Sequence, residues 1–315
     1  MAKPDRVTRR RFLNHAVAVA GTGLVAPELM ARVARAAPEK AGYQVGIYTR
    51  PWDQFDYRTA LDAIAEAGFK QAGLMTTKGK TRLVITAAST PEEAQKVAEE
   101  LKKRGLSVPS VYGGGIPVGR SLEAGIEAMR RLVDNCAIVG ARSLLMGGTG
   151  NKKLFEVYYK AIAACCDYAA EKGMTVTVKP HGGLNATGPQ CRKTVEMVGH
   201  KSFGVWYDPG NILHYSDGQL DPVKDAPSVA GLVKGMCIKD FTMSKVDGKI
   251  KKDVWVTPGT GRVDFPAVMA VLKRGGFTSG ALVIECVGRK DPTDLKAILA
   301  EAKKAREFVE ELAGA

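Results

Sequence analysis

The chain has 315 residues, 45% of them hydrophobic, which suffices for a large core and allows either two average domains or one α/β barrel of about 250 residues. Its formal charge of +13 raises the question of a polyanionic partner, but Met1–Ala37 carries seven Lys/Arg against two Asp/Glu, so +8 is left for the remainder. There the basic residues are dispersed along helix-like segments such as Leu101–Arg104 and Lys303–Arg306 with acids nearby, the pattern of solvated helix faces, and no nucleic-acid partner is expected.

The first segment has its own pattern. Thr8-Arg9-Arg10-Arg11-Phe12-Leu13 precedes the apolar run Ala16–Ala26 and then Ala34-Arg35-Ala36, a small-x-small site. The run is too short to span a bilayer, so it reads as a cleavable export signal. The arginine pair, the Phe-Leu after it and the weak hydrophobicity fit the twin-arginine type, which is exported already folded. The expectation is residues 1–37 as signal, read by the twin-arginine machinery, and a mature protein, 38–315, in the periplasm or secreted with no membrane attachment. The six cysteines show no metal-knuckle spacing, and folding before export weakens the case for disulfides; they are expected as buried small hydrophobes.

From there apolar runs alternate with helical patterns. Tyr43–Tyr48 reads as a strand and Tyr57–Ala67 as a helix, with Leu61, Ile64 and Ala65 on one face. Gln71–Met75 is the second strand, followed by a helix over Thr90–Arg104 that opens with a Thr90/Glu93 capping box. Ser107–Tyr112, Gly113-Gly114-Gly115 and a helix over Ser121–Val139 come next; then Ser143–Met146, Gly147-Gly148 and a long helix over Lys153–Lys172. Thr175–Val178 and Phe203–Tyr207 are strands with Gly188–Val198 helical between them. A weaker helix over Pro222–Ala230, a strand at Gly235–Ile238, a helix over Phe265–Arg274, the last strand Ala281–Ile284 and a closing helix over Pro292–Leu312 complete the chain. Eight such pairs, with short strands buried on both faces, predict parallel pairing and a single (β/α)8 TIM barrel. An open doubly wound sheet is the alternative, but no Gly-x-Gly-x-x-Gly follows the first strand, so no nucleotide cofactor is expected.

In such a barrel the chemistry lies at the carboxyl ends of the strands. Those ends carry Arg50 and Trp52, Thr76, Tyr112, Met146, Lys179 and His181, Asp208, Asn211 and His214, Cys237 with Lys239 and Asp240, and Glu285. Glu285 closes an apolar strand, where an unpaired charge is costly, so it is expected to bind a metal, act as a base or pair with Lys179 or Lys239. Lys179 is expected to neutralise Asp208 and Glu285 rather than serve as an amine catalyst. His181, between Pro180 and Gly182-Gly183, suits a side chain aimed at substrate; His214 is as compatible with packing in its loop. Trp52, Tyr112, Asn211, His214 and Lys239 are candidate substrate contacts.

The stretches Lys179-Pro180-His181-Gly182-Gly183, Tyr207-Asp208-Pro209-Gly210-Asn211, Cys237-Ile238-Lys239-Asp240, Gly259-Thr260-Gly261-Arg262-Val263-Asp264-Phe265, and Gly280 with Glu285 resemble the xylose isomerase-like TIM-barrel superfamily. That group contains sugar phosphate isomerases and epimerases, inosose dehydratase and endonuclease IV. The resemblance implies a divalent cation held by a Glu, an Asp, a His and a second Glu, polarising a sugar carbonyl while acids move a proton between carbons. Asp208 and Glu285 match two of these. Where members read Glu-Asn-His this chain has Lys179-Pro180-His181, and where they read His-x-Lys-Asp it has Cys237-Ile238-Lys239-Asp240.

Exchanging a carboxylate for an ammonium alters the site by two charges. Either a metal persists on Asp208, Glu285, His181 and Cys237, with Zn suited to the mixed set and Mn or Mg to the oxygens, or Lys179 supplies the positive charge and the site is metal-free. In the second case His181 and Glu285 are the expected proton-transfer pair. The sequence therefore predicts an isomerase, epimerase or related lyase acting on a sugar, keto-sugar or inositol-like polyol. The alternative is a metal-free sugar-binding pseudoenzyme on the same barrel. A homo-oligomer is compatible with either. Endonuclease chemistry is disfavoured because only His181, His200 and His214 follow the signal.

Overall fold

A computed structural model describes residues 42–314; the expected export signal lies outside them. Eight parallel strands form the barrel: β1 (Tyr43–Tyr48), β2 (Ala72–Gly73), β3 (Val111–Tyr112), β4 (Ser143–Met146), β5 (Thr175–Val178), β6 (Phe203–Tyr207), β7 (Val233–Ile238) and, after an outlying hairpin of β8 (Thr242–Val246) and β9 (Lys249–Asp253), β10 (Gly280–Ile284). β1 pairs with both β2 and β10, and β10 with β7, so the first and last barrel strands are neighbours. The remaining seam, β2 to β3, is closed by single bridges between Gln71 and Ser107 and between Leu74 and Val111. The second and third strands are thus shorter than the apolar runs predict.

Helices α1 (Tyr57–Glu66), α2 (Pro91–Lys103), α3 (Leu122–Ile138), α4 (Phe155–Ala163), α5 (Cys166–Glu171), α6 (Gly188–Val198), α7 (Pro209–Tyr215), α8 (Pro222–Asp225), α9 (Phe265–Arg274) and α10 (Leu295–Gly314) surround the strands. Their starts follow the sequence closely because the caps are written in it. Thr90 accepts from the Glu93 amide while Glu93 reaches back to Thr90, Thr187 and Gln190 do the same for α6, and Ser121 and Asp264 cap α3 and α9 by accepting one amide each. The helix predicted over Lys153–Lys172 is instead broken: the Cys165 amide donates to Ile162 three residues back, tightening the turn, and the chain restarts at Cys166. The segment Pro222–Ala230 likewise divides into α8 and a 3-10 turn over Ala226–Val229.

Two apolar layers follow from strand geometry, in which alternate side chains face opposite sides. Val176, Val178, Val205, Tyr207, Met236, Ile238, Leu282 and Ile284 face the helices. Tyr48, Met75, Leu145, Trp206, Cys237 and Val283 fill the barrel itself. Gly235 is required there: a Cβ on it would lie 2.4 Å from the Trp206 ring. All six cysteines are free and buried, as expected for small hydrophobes.

Candidate active site

The same alternation carries the strands from apolar to ionised residues within one step. Two residues beyond inward-facing Thr177, Trp206, Cys237 and Val283 come Lys179, Asp208, Lys239 and Glu285, so one further inward layer is made of four charges. Their side chains are between 0 and 3% exposed. Lys179 Nζ donates to Asp208 Oδ2 at 3.1 Å and to Glu285 Oε2, and lies 3.9 Å from Cys237 Sγ. Lys239 Nζ donates to the same Asp208 Oδ2 at 3.0 Å and to Asn211 Oδ1 at 3.0 Å, with Glu285 Oε1 at 2.7 Å. Arg50, from the turn after β1, approaches Glu285 Oε1 at 3.5 Å. Contact of Oε1 with these two cations is coulombic, since it accepts no well-directed hydrogen bond among the described residues.

Asp208 holds this layer to the backbone. With Pro209 in the first turn of α7, its Oδ1 accepts from the Asn211 amide at 3.0 Å as an N-cap, leaving Oδ2 for both ammonium groups. Asn211 is fully used as well, its Nδ2 donating to Pro180 O at 2.7 Å while its Oδ1 holds Lys239. Within the buried layer Lys179 and Lys239 balance Asp208 and Glu285, and Arg50, 29% exposed, adds a third cation at its edge.

The ionisation states follow. Burial works against the Lys179 ammonium, but the carboxylates around it prevail and hold it well above the ordinary lysine range. Lys239 is raised in the same way, against burial and against Lys179. Burial also opposes the Glu285 carboxylate, yet Lys179, Lys239 and Arg50 hold it well below the usual range. Cys237 is pushed up by burial and remains a thiol, so its contact with Lys179 is that of a neutral neighbour.

Beside this layer, on the other half of the rim, lies a cavity of about 280 Å³. Glycines of the loops after β3, β4 and β5 form most of its wall, including Gly114, Gly147, Gly148 and Gly183, with Thr149 and Asn185 adding polar groups. Tyr112 and His181 also line it, and they connect the two regions. Burial, then the Lys179 and Lys239 charges, lower His181 to about 4, so its ring is neutral at physiological pH. Tyr112 is raised, chiefly by burial. The His181 ring packs edge-on against Tyr215 at 5.8 Å and makes no hydrogen bond to the described residues.

The structure therefore brings Lys179, Asp208, Lys239, Glu285, Asn211 and Cys237 into one cluster and puts His181 and Tyr112 at the cavity. It does not bring Trp52 or His214 there. Trp52 is fully buried in the outer core, because the 3-10 turn Arg50–Trp52 folds its indole back among the helices. His214 packs against Tyr215 and Phe241, at 5.0 and 6.1 Å. The aromatic residue missed on this face is Trp255, with the Arg289 guanidinium stacked 3.3 Å from its ring centroid and itself paired with Asp53 at 2.7 Å. Asp240, read at its strand end without an assigned role, is structural: its carboxylate accepts the amides of Phe241, Gly259, Gly261 and Val263, at 2.8 to 3.1 Å, and so holds the Gly-x-Gly loop in place.

By distance alone Asp208, Cys237 and Glu285 are a metal-type set, their donor atoms all within 4.8 Å of one another. His181 is not part of it. The Lys179 ammonium contacts each of the three, so the residues present do not fit a divalent cation at this centre.

The xylose isomerase-like TIM barrel model matches residues 61–312. The chain belongs to that family. Among solved structures, a D-psicose 3-epimerase determined in the presence of D-fructose superposes with a TM-score of 0.63 at 14% identity, over 86% of this chain and 100% of that one. A xylose isomerase-like TIM barrel protein from Mycobacterium smegmatis in complex with magnesium gives 0.68 at 14% identity, over 87% and 96%. A xylose isomerase domain protein from Planctomyces limnophilus gives 0.63 at 19% identity, over 86% and 97%. No curated protein matches the sequence significantly. At these identities the likeness is one of fold.

Proposed function

We propose that this family member moves a proton next to the carbonyl of a single sugar or inositol-like polyol, as an epimerase, isomerase or related lyase. The observation that carries the reading is a neutral His181, its ring without a hydrogen bond among the described residues, in the wall of a cavity beside the buried Lys179 and Lys239 ammonium groups, with Arg50 at the edge of their layer. Removing a proton from the carbon beside a carbonyl leaves an enolate, whose charge goes to oxygen. Preorganised cations in a water-excluded layer stabilise such charge far more than water does. The cations that keep His181 neutral favour the enolate as well, and the enolate in turn raises the basicity of the imidazole as it forms. His181 then returns the proton from the same side to the neighbouring carbon, which gives an isomer; inversion at the original carbon requires a second proton donor on the opposite face. Glu285, sealed among three cations, sets the charge of the layer rather than shuttling the proton.

A volume of about 280 Å³ lies at the low end of ligand pockets, which suits one monosaccharide-sized molecule. Fold neighbours named as D-psicose and L-ribulose 3-epimerases support a keto-sugar as the first class to test. Incubating the full chain with ketoses and keto-inositols in deuterated water, and following carbon-bound deuterium by NMR, tests the reading. We expect exchange that His181→Ala abolishes and Glu285→Gln reduces by at least about tenfold. Unchanged turnover in both variants overturns the assignment. The ammonium lodged among the metal-type donors favours a second reading, a sugar-binding pseudoenzyme, for which binding without any exchange is the expected result.

Export remains part of the proposal on the strength of Arg9-Arg10-Arg11-Phe12-Leu13 and the apolar run after it. Arg9 and Arg10 changed together to lysine should leave the protein in the cytoplasmic fraction. Among the described residues no helix is long and apolar enough to cross a membrane.

A further inference from the structure

We infer that Lys179 is a built-in cation that closes the Asp208–Cys237–Glu285 centre to divalent metal. The inference does not depend on which reaction the cavity supports. Three donor atoms from β6, β7 and β10 converge within 4.8 Å of one another, in a layer with no exposed face. An ammonium on the neighbouring strand end touches all of them: Asp208 Oδ2 at 3.1 Å, Glu285 Oε2, and Cys237 Sγ at 3.9 Å.

The other carboxylate oxygens face the backbone or a cation. Asp208 Oδ1 caps α7 at 3.0 Å, and Lys239 lies 3.0 Å from Asp208 Oδ2 and 2.7 Å from Glu285 Oε1. A divalent ion would have to expel the Lys179 ammonium from a buried position and bring two positive charges up to Lys239 and Arg50. The donor set would also need the Cys237 thiolate, which the present surroundings do not supply. Once the Lys179 amine is gone, the same three donors face an opening the size of that amine, and Arg50 and Lys239 still neutralise the outer oxygens.

The experiment uses the full mature chain, equilibrated with Zn²⁺, Mn²⁺ or Co²⁺, desalted, and analysed for metal content, for the cobalt–thiolate charge-transfer band and for melting temperature with and without chelator. Wild type is expected to hold no metal at this centre, to show no band and to melt at the same temperature in either condition. Lys179→Ala and Lys179→Glu are expected to take up about one equivalent of Co²⁺ or Zn²⁺, with a band that Cys237→Ser removes and an affinity at least about tenfold above wild type. One equivalent in wild type whose removal by chelator lowers the melting temperature, or a Cys237-dependent band in wild type, overturns the proposal. So does a folded Lys179→Ala and Lys179→Glu pair that both refuse the metal. If neither variant folds, Lys179→Gln, which keeps a polar side chain of similar reach without the charge, takes their place, and its failure to gain a Cys237-dependent site overturns the proposal.

Discussion

Around the carboxyl rim, the half built on β5, β6, β7 and β10 presses four ionised side chains into contact, while the half built on β3, β4 and β5 supplies glycines and an opening of about 280 Å³. The four ionised side chains of the charged half are at most 3% exposed, and among the described residues no charged side chain lines the cavity of the open half. Neither half does chemistry alone. The arrangement lets a solvent-sealed layer set the potential in which a half-buried histidine works, so charge and access are divided between strands rather than combined on each of them. The two halves should therefore fail differently: the charged half by losing stability, the open half by losing its ligand.

The largest effect is expected from Asp208→Ala. It removes the one carboxylate oxygen that holds both Lys179 and Lys239 and also the cap of α7. Breaking a buried ion pair by deleting one partner costs about 3–5 kcal/mol, because the other charges stay buried without compensation. Urea unfolding of wild type and variant measures this directly. A loss below about 1 kcal/mol would mean that water reaches the layer and that the two halves are not distinct.

The charged half was the more legible in sequence. A lysine, an aspartate and a glutamate each ending a core strand announce an ionic layer, because none of them is buried without a partner. The pairing of Lys179 with Asp208 and Glu285 could be read for that reason. What could not be read is the depth to which each chain turns. Trp52 stands two residues past Arg50, yet a 3-10 turn sends its ring into the outer core, and Trp255, from a stretch with no obvious strand end, takes the rim instead. The hairpin of β8 and β9 did carry a signal. Asp247-Gly248 adopts positive φ at both positions, 48° and 77°, the turn that joins twisted antiparallel strands, but the polar residues around it masked the alternation. The cavity was least legible, since runs of glycine look the same whether they line a binding site or make a turn.

Next in size is the pH dependence that His181 imposes where the two halves meet. Its pKa is lowered from 6.5 to about 4 in the folded protein, so between those values the unfolded chain binds the proton and the folded chain does not. Stability is then full above pH 6.5 and falls as the pH drops toward 4. Between pH 6.5 and 4.5 the loss should be about 2 kcal/mol, at about 1.4 kcal/mol per unit. Glu285, lowered below 4.5, adds its own loss only at more acid pH, while His214, lowered by burial and by Lys252 and Lys239, adds a slope of the same sign that a His181 substitution leaves in place. Unfolding free energies at a series of pH values should show this slope in wild type and a flatter one in His181→Gln. An equal slope in both would place the titration elsewhere.

A small change in stability should accompany a large change in binding at Gly183. Its φ is 55°, and a Cβ there would meet only Gly150 Cα at 3.5 Å, an ordinary contact. Gly183→Ala therefore adds the strain of a left-handed residue, about 1–2 kcal/mol, and no clash. In a domain of this size that lowers the melting temperature by a few degrees, at about 2–4 °C per kcal/mol. The added methyl nevertheless stands between two loops that wall the cavity, where a monosaccharide has little spare space. Sugar affinity measured by calorimetry should drop by more than the stability does. The exposed hairpin residue Ile250, 64% accessible, is the control: Ile250→Thr should change stability by less than about 0.5 kcal/mol and leave binding untouched. If Gly183→Ala binds sugar like wild type while Asp208→Ala, still folded, does not, the ligand sits over the charged half. The division of the rim into a charged, closed side and an open, uncharged one would then be wrong.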